Sequence, residues 1–295
     1  MNRLRCGTLA VVGRPNVGKS TLVNRLSGQK VAIVSNRPQT TRHRIRGIWH
    51  GEDAQLILVD TPGIHRPLHP LGEQLVLEAE RALTEVDAIL LIVDGTEELG
   101  PGDRHVVARA LASGRPIVLA VNKLDRAGPR GGFADAYAAL ADFRAVHVIS
   151  AQRGTGVRAL VRSLVGLMPE GPALFPDDVV TDQTLRQLAG ELVREQLMRQ
   201  LSDELPHAIA VSVERFDESD PALTRIEATI HVERDSQKGI VIGKGAERLK
   251  TVGIHAREAI EQQTGTRVHL ALRVKVLPNW RRDAAMLKRL GYIVD

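Results

Sequence analysis

At 295 residues, 43% hydrophobic and 25% charged, the chain is long enough for two globular domains and too apolar to be disordered. One cysteine, Cys6, excludes an intramolecular disulfide and suits a reducing compartment, and no apolar run approaches the ~20 residues of a membrane span. The net charge of +5 is concentrated: residues 1–50 hold ten Lys or Arg and no acid, and residues 238–289 hold twelve basic and four acidic residues, which points to two polyanion contacts, one a nucleotide and one a nucleic acid.

The chain begins Met-Asn-Arg-Leu-Arg-Cys-Gly and enters a strand with no apolar signal segment, so a cytoplasmic protein is expected. An apolar run, Leu9 to Val12, leads into Gly13, Gly18, Lys19 and Ser20, which fit G-x-x-x-x-G-K-[ST], and an amphipathic helix leads out. A loop between strand and helix can turn its N–H groups around phosphates, and the helix adds the positive end of its dipole. Lys19 is expected at the terminal phosphates and Ser20 on Mg²⁺, with Arg14, Pro15, Asn16, Val17 and Thr21 completing the loop's contacts.

A polar, basic segment from Asn36 to Arg46 follows, with Thr40 and Thr41 as hydroxyls for Mg²⁺ while a γ-phosphate holds the loop; Thr41 is favoured, but the spacing does not decide. Ile45 to His50 and Gln55 to Val59 read as paired strands, the second ending in Asp60-Thr61-Pro62-Gly63. Asp60 would hold Mg²⁺ and Gly63 would bring a backbone N–H to the γ-phosphate. Ile64 to Gln74 reads as a second switch.

Helix, strand (88–93), helix (103–113) and strand (117–121) follow, delivering Asn122-Lys123-Leu124-Asp125. A carboxylate there can accept from N1–H and the 2-amino group of guanine, whereas adenine has no such donor pair. Lys123 would lay its apolar stem on the purine ring. Strand 145–149 ends in Ser150-Ala151, whose N–H groups would meet the guanine carbonyl.

These motifs, in this order, resemble the translation-factor-like GTPases, with all five of that family's motifs present. The resemblance implies an α/β doubly wound P-loop domain with GTP at the strands' C-terminal ends. Lys19, Thr41, Gly63 and Asn16 are the expected catalytic set. Where many such switches place a water-orienting glutamine after Asp-x-x-Gly, this chain has Ile64, which cannot hydrogen-bond water, so intrinsic hydrolysis should be slow. In relatives lacking the glutamine an asparagine at the place of Asn16 helps hold K⁺, and potassium stimulation is the corresponding hypothesis.

Residues 169–182 carry three of fourteen prolines and no periodicity, a linker signal. The expected division is a GTPase domain over 1–170, a linker over 171–182, a smaller α+β domain over 183–277 and a tail helix over 278–295. In the smaller domain Leu185, Leu188, Ala189, Leu192, Val193, Leu197 and Leu201 share a helical face. Strands are expected at 207–214, 225–233 and 267–276, in the order α-β-β-α-α-β. Trp280 reads as a core anchor.

That order, with Gly243-Lys244-Gly245-Ala246 between two helices, resembles a type II KH domain, which brings a Gly-x-x-Gly turn against single-stranded RNA phosphates. The second glycine is here Ala246, whose methyl would crowd the backbone. Lys238, Lys244, Arg248 and Lys250 are the accompanying RNA-binding cations, and 3% aromatic content argues against extensive base stacking.

The pairing of both halves over the whole chain is similar to the Era family of bacterial GTPases, of the TrmE-Era-EngA type. The family implies GTP and GDP as ligands with Mg²⁺. It further implies binding near the 3′ end of 16S rRNA, a role in 30S maturation, a monomeric state and peripheral contact with the inner membrane. Two alternatives differ in class: an RNA-binding scaffold that holds GTP with negligible hydrolysis, which Ile64 favours, and a P-loop ATPase or kinase, which Asn122 to Asp125 disfavour.

Overall fold

The structure is a computed structural model and describes residues 4–35, 37, 40–63, 70–127, 132–202 and 205–293. It divides into two compact units: residues 4–32, 40–63 and most of 75–182 form the first, and residues 33–35, 37, 70–74 and most of 183–293 form the second.

The first unit alternates strand and helix: β1 (Arg5–Val12), α1 (Lys19–Ser27), β2 (Ile45–His50), β3 (Ala54–Asp60), α2 (Pro70–Thr84), β4 (Ala88–Asp94), α3 (Pro101–Ala112), β5 (Ile117–Asn122), α4 (Ala134–Ala138), β6 (Ala145–Val148) and α5 (Val157–Leu167). The six strands lie in the order β2-β3-β1-β4-β5-β6. β3, β4 and β5 are buried at every position, so their continuous apolar runs face helices on both sides. One layer packs Leu9, Val11, Leu58 and Leu90 against Leu22 of α1 and Leu160 and Leu164 of α5. The other packs Ala10, Val12, Val59, Ile89 and Leu91 against Ala79, Ala82 and Leu83 of α2 and Val106 and Ala110 of α3.

Register is what assembles the site. β1 and β3 run parallel with Val11 opposite Asp60, and β4 and β5 run parallel with Asp94 opposite Asn122. The polar residue ending each strand therefore emerges at one edge of the sheet, where a doubly wound fold binds ligands. At the far side, β2 pairs only with β3, and its open edge is covered by residues 179–182: Ile48 N–H donates to Val180 O at 2.8 Å and Gly47 bridges Thr181. The proline-rich stretch is pinned as well, because Gln55 donates to Phe175 O (2.7 Å) and accepts from the N–H groups of Leu174 (2.8 Å) and Phe175 (3.0 Å).

The second unit holds α6 (Leu185–Gln200), β7 (Ala210–Asp217), β8 (Leu223–Val232), α7 (Asp235–Ile242), α8 (Glu247–Thr264), β9 (Arg267–Val276) and α9 (Ala284–Arg289). Its sheet runs β7-β8-β9, with β7 antiparallel and β9 parallel to β8. Val193 and Leu197 of α6 and Val252 and Ala256 of α8 cover Ile230 and Val232.

Three local expectations change. His207 is not in a strand: Leu205–His207 make a 3₁₀ turn, and β7 starts at Ala210. Leu185, placed on the buried face of α6, is 39% exposed because it opens the helix just after the Thr184 cap. α6 instead buries charge, with Glu191, Arg194 and Glu195 all inside and Arg194 Nε donating to Glu191 Oε1 at 2.9 Å. Trp280 is fully buried, donates Nε1–H to Ala208 O at 3.1 Å and stacks on Tyr292 with ring centroids 5.7 Å apart.

Candidate nucleotide and nucleic-acid sites

The loop between β1 and α1 is held open by glycine. Gly18 has φ 103°, and a Cβ there would collide with Asn122 Nδ2, so only glycine fits. Asn122 ties the loop down: Nδ2–H donates to Val17 O at 2.8 Å, and Oδ1 accepts from Ala151 N–H at 2.8 Å. The Ala151 N–H expected at a guanine carbonyl is thus occupied by Asn122. Asn16 takes a left-handed φ of 65°, and Lys19 donates to Gly13 O (3.1 Å) and Arg14 O (2.9 Å), curling its ammonium over the loop.

Three oxygens converge beside it. Ser20 Oγ donates to Asp60 Oδ2 at 2.7 Å and lies 3.0 Å from Thr41 Oγ1, which itself donates to Asp60 Oδ2 at 3.2 Å. Asp60 Oδ1 is buried with no hydrogen-bond partner. An orphaned carboxylate oxygen and two hydroxyls are the hard-oxygen set that a Mg²⁺ ion takes, so the residues present fit that ion. Burial pushes the Asp60 carboxyl up, only partly offset by Lys19 and the two hydroxyls. Burial likewise pushes the Lys19 ammonium down to about 8, opposed by Asp60. Thr40 is half-buried next to Thr41 in the chain.

Thr61 Oγ1 donates to Val11 O at 2.9 Å and fixes the turn after β3. Gly63 lies against the first loop, since a Cβ there would sit 2.9 Å from Pro15 N. Ile64, with Pro38 and Gln39, lies outside the described residues.

On the base side, Ser150 Oγ donates to Asp125 Oδ1 at 2.5 Å and accepts from Arg153 N–H at 3.0 Å. The Ser150 hydroxyl first, then neighbouring Arg153 and Arg126, hold Asp125 below the usual carboxylate range against a small burial penalty, so it stands ionised. Lys123 pairs with Asp94. Sequence reasoning missed two carboxylates here: Asp94, seen only as a strand end, and Asp103 at the start of α3, which accepts from Arg14 at 2.9 Å. Neither belongs to a recognisable pattern; register alone brings them in.

In the second unit, Gly243 ends α7 with φ 77°, where a Cβ would meet Arg248 Cβ at 2.9 Å. Gly245 and Ala246 follow in left-handed conformations, φ 58° and 62°, and α8 begins at Glu247. The alanine keeps the backbone a glycine would give. Lys244, Gly245, Ala246 and Lys250 are exposed, whereas Lys238 and Arg248 are half-buried and Arg248 donates to Ile240 O. Ile240 (50%) and Ile254 (41%) lie exposed near this turn in sequence.

A phosphate loop, an Asp-x-x-Gly strand end and an Asn-Lys-x-Asp turn in a doubly wound sheet, followed by an α-β-β-α-α-β unit, define a P-loop GTPase with a KH domain. Residues 8–123 match the family model of a 50S ribosome-binding GTPase, and residues 204–281 match that of a KH domain. A crystal structure of an Aquifex aeolicus Era variant bound to GDP·AlF₄⁻ is 38% identical, with 99% of this chain and 100% of that one covered at a TM-score of 0.92. Era in complex with MgGDPNP and nucleotides 1506–1542 of 16S ribosomal RNA is 37% identical over 99% and 100%, with a TM-score of 0.94. The chain belongs to the Era family of GTPases.

Proposed function

We propose that this chain is a GTP-binding and hydrolysing switch whose KH domain binds 16S rRNA near its 3′ end and assists 30S maturation. The observation that carries the switch is the convergence of Ser20, Thr41 and Asp60, with an unpartnered Asp60 oxygen, beside the buried Lys19. The rRNA assignment rests on the likeness to an Era carrying both MgGDPNP and an rRNA segment.

Asp125 accepts the N1–H and 2-amino hydrogens of guanine while Lys123 covers the ring. The N–H groups of the Gly13–Ser20 loop and the start of α1 take the phosphates, and Lys19 follows the developing charge. Ser20, Thr41 and Asp60 would hold Mg²⁺, which supplies charge neutralisation between the β- and γ-phosphates when bound. Thr41 exchanges its bond to Asp60 for that role, so the 40–46 segment senses the γ-phosphate, as Gly63 does on the other side. Asn16 contributes to a K⁺ site that takes over part of the work of the missing glutamine. The KH turn at Gly243–Ala246 meets single-stranded RNA phosphates, with Lys238, Lys244, Arg248 and Lys250 adding charge. The reading includes a monomer in the cytoplasm with peripheral membrane contact; among the described residues no helix is long and apolar enough to cross a membrane.

RNA affinity measured with a GTP analogue and with GDP tests the switch: tighter binding in the GTP state is expected, and equal affinity overturns the coupling. Turnover in potassium over sodium buffer tests Asn16. Ile64 favours a second reading, a scaffold that binds GTP without hydrolysis, and phosphate release in the presence of rRNA excludes it.

A further inference from the structure

We propose that Asp94 is the positioning residue for guanine recognition: it anchors the Lys123 ammonium so that the lysine stem stands as a fixed wall for the purine. The inference rests on the guanine-nucleotide reading above and adds a residue that no nucleotide motif contains.

The geometry divides the carboxylate between two tasks. Asp94 ends β4 and is 3% exposed. Its Oδ1 accepts from Thr96 N–H at 3.0 Å and from Thr96 Oγ1 at 2.7 Å, closing a side-chain turn. Its Oδ2 is left to face Lys123 Nζ. The strands are in register with Asp94 opposite Asn122, and Gly95 N–H donates to Asn122 O at 2.9 Å, so the turn after β4 is stitched to the turn after β5. Lys123 itself has φ 69°, a left-handed backbone rare for a lysine, and its side chain meets the end of β4.

A free lysine stem samples many rotamers, and ordering it when the base arrives would weaken binding. One tethered at both ends is ordered beforehand. The bland account is that Asp94 only closes the turn to Thr96. The two accounts part at Asp94→Asn, since an asparagine oxygen can still accept from Thr96 while the charge facing Lys123 is gone.

The experiment is equilibrium binding of GDP and a GTP analogue to the full chain and to D94N, K123M and D94N/K123M, with hydrolysis at saturating GTP. D94N is expected to weaken both nucleotides by roughly three- to tenfold, with kcat unchanged. K123M should be weakened further, because its shortened stem stands over a buried carboxylate with no ammonium, and adding D94N should recover part of that loss. D94N affinity within twofold of the parent, or D94N and K123M effects that simply multiply, overturns the proposal. Should D94N fail to fold, the K123M pair carries the test through its rescue. Failure of the parent chain to bind guanine nucleotides would remove the guanine reading itself, a separate outcome from normal parent binding with D94N unaffected.

Discussion

Lys19 is buried beside Asp60, and desolvation holds its ammonium near 8 while an unfolded lysine titrates near 10.5. Between those values the unfolded chain binds the extra proton, so stability of the nucleotide-free protein rises with pH there. The slope is clearest from pH 8 to 9, because Cys6 and Tyr137, both pushed up by burial, oppose it at higher pH. Denaturation at pH 8 and 9 should show stability climbing, and saturating GDP with Mg²⁺ should flatten the climb by returning a counter-charge to Lys19. Ala246 is the second informative residue. A non-glycine residue in the left-handed region costs roughly 1–2 kcal/mol, partly offset by the larger unfolded-state entropy of glycine. Ala246→Gly is therefore expected to stabilise the protein by about 0.5–1 kcal/mol without loss of RNA affinity, read by denaturant titration. That alanine stands where the sequence suggested weakened binding. The structure shows the backbone unchanged, which a departure from a motif cannot reveal.

At the scale of elements, the strands of the first unit were legible because parallel strands covered on both faces must be apolar throughout, and each is followed by a polar residue with a task. α6 was harder. Its leucine periodicity is real, but the helix is enclosed on more than one side, so Glu191 and Arg194 are buried as well and satisfy each other. Periodicity finds one face; it does not count how many neighbours surround a helix. The 3₁₀ turn at Leu205–His207 was invisible for a related reason, since a proline and a histidine before an apolar run fit a strand start equally well. The tail depends on Trp280, which fills a closed space, bonds Ala208 and stacks on Tyr292. Trp280→Ala should cost about 3–5 kcal/mol, whereas Trp280→Phe should recover much of that and lose mainly the Nε1 bond. Chemical denaturation of the two variants checks the order.

For the whole molecule, the concentration of positive charge in two regions agrees with two anionic ligands. If the KH turn meets single-stranded phosphates, the dependence of RNA affinity on salt should carry a slope of roughly −0.7 per contact. Replacing Lys244 and Lys250 together by glutamine should then reduce that slope by about 1.4, while GTP affinity stays unchanged; an unaltered slope would place the RNA elsewhere. The sequence by itself determined the nucleotide loop, the preference for guanine, the order of elements in both units and the family, because each rests on local geometry repeated at fixed spacing. Only the tertiary structure decided that the Thr41 hydroxyl joins Ser20 at Asp60, that Asn122 joins Val17 to Ala151, and that Asp94 faces Lys123. Those contacts join residues tens of positions apart, and what brings them together is strand register, which depends on the packing of the whole sheet and is written in no short motif.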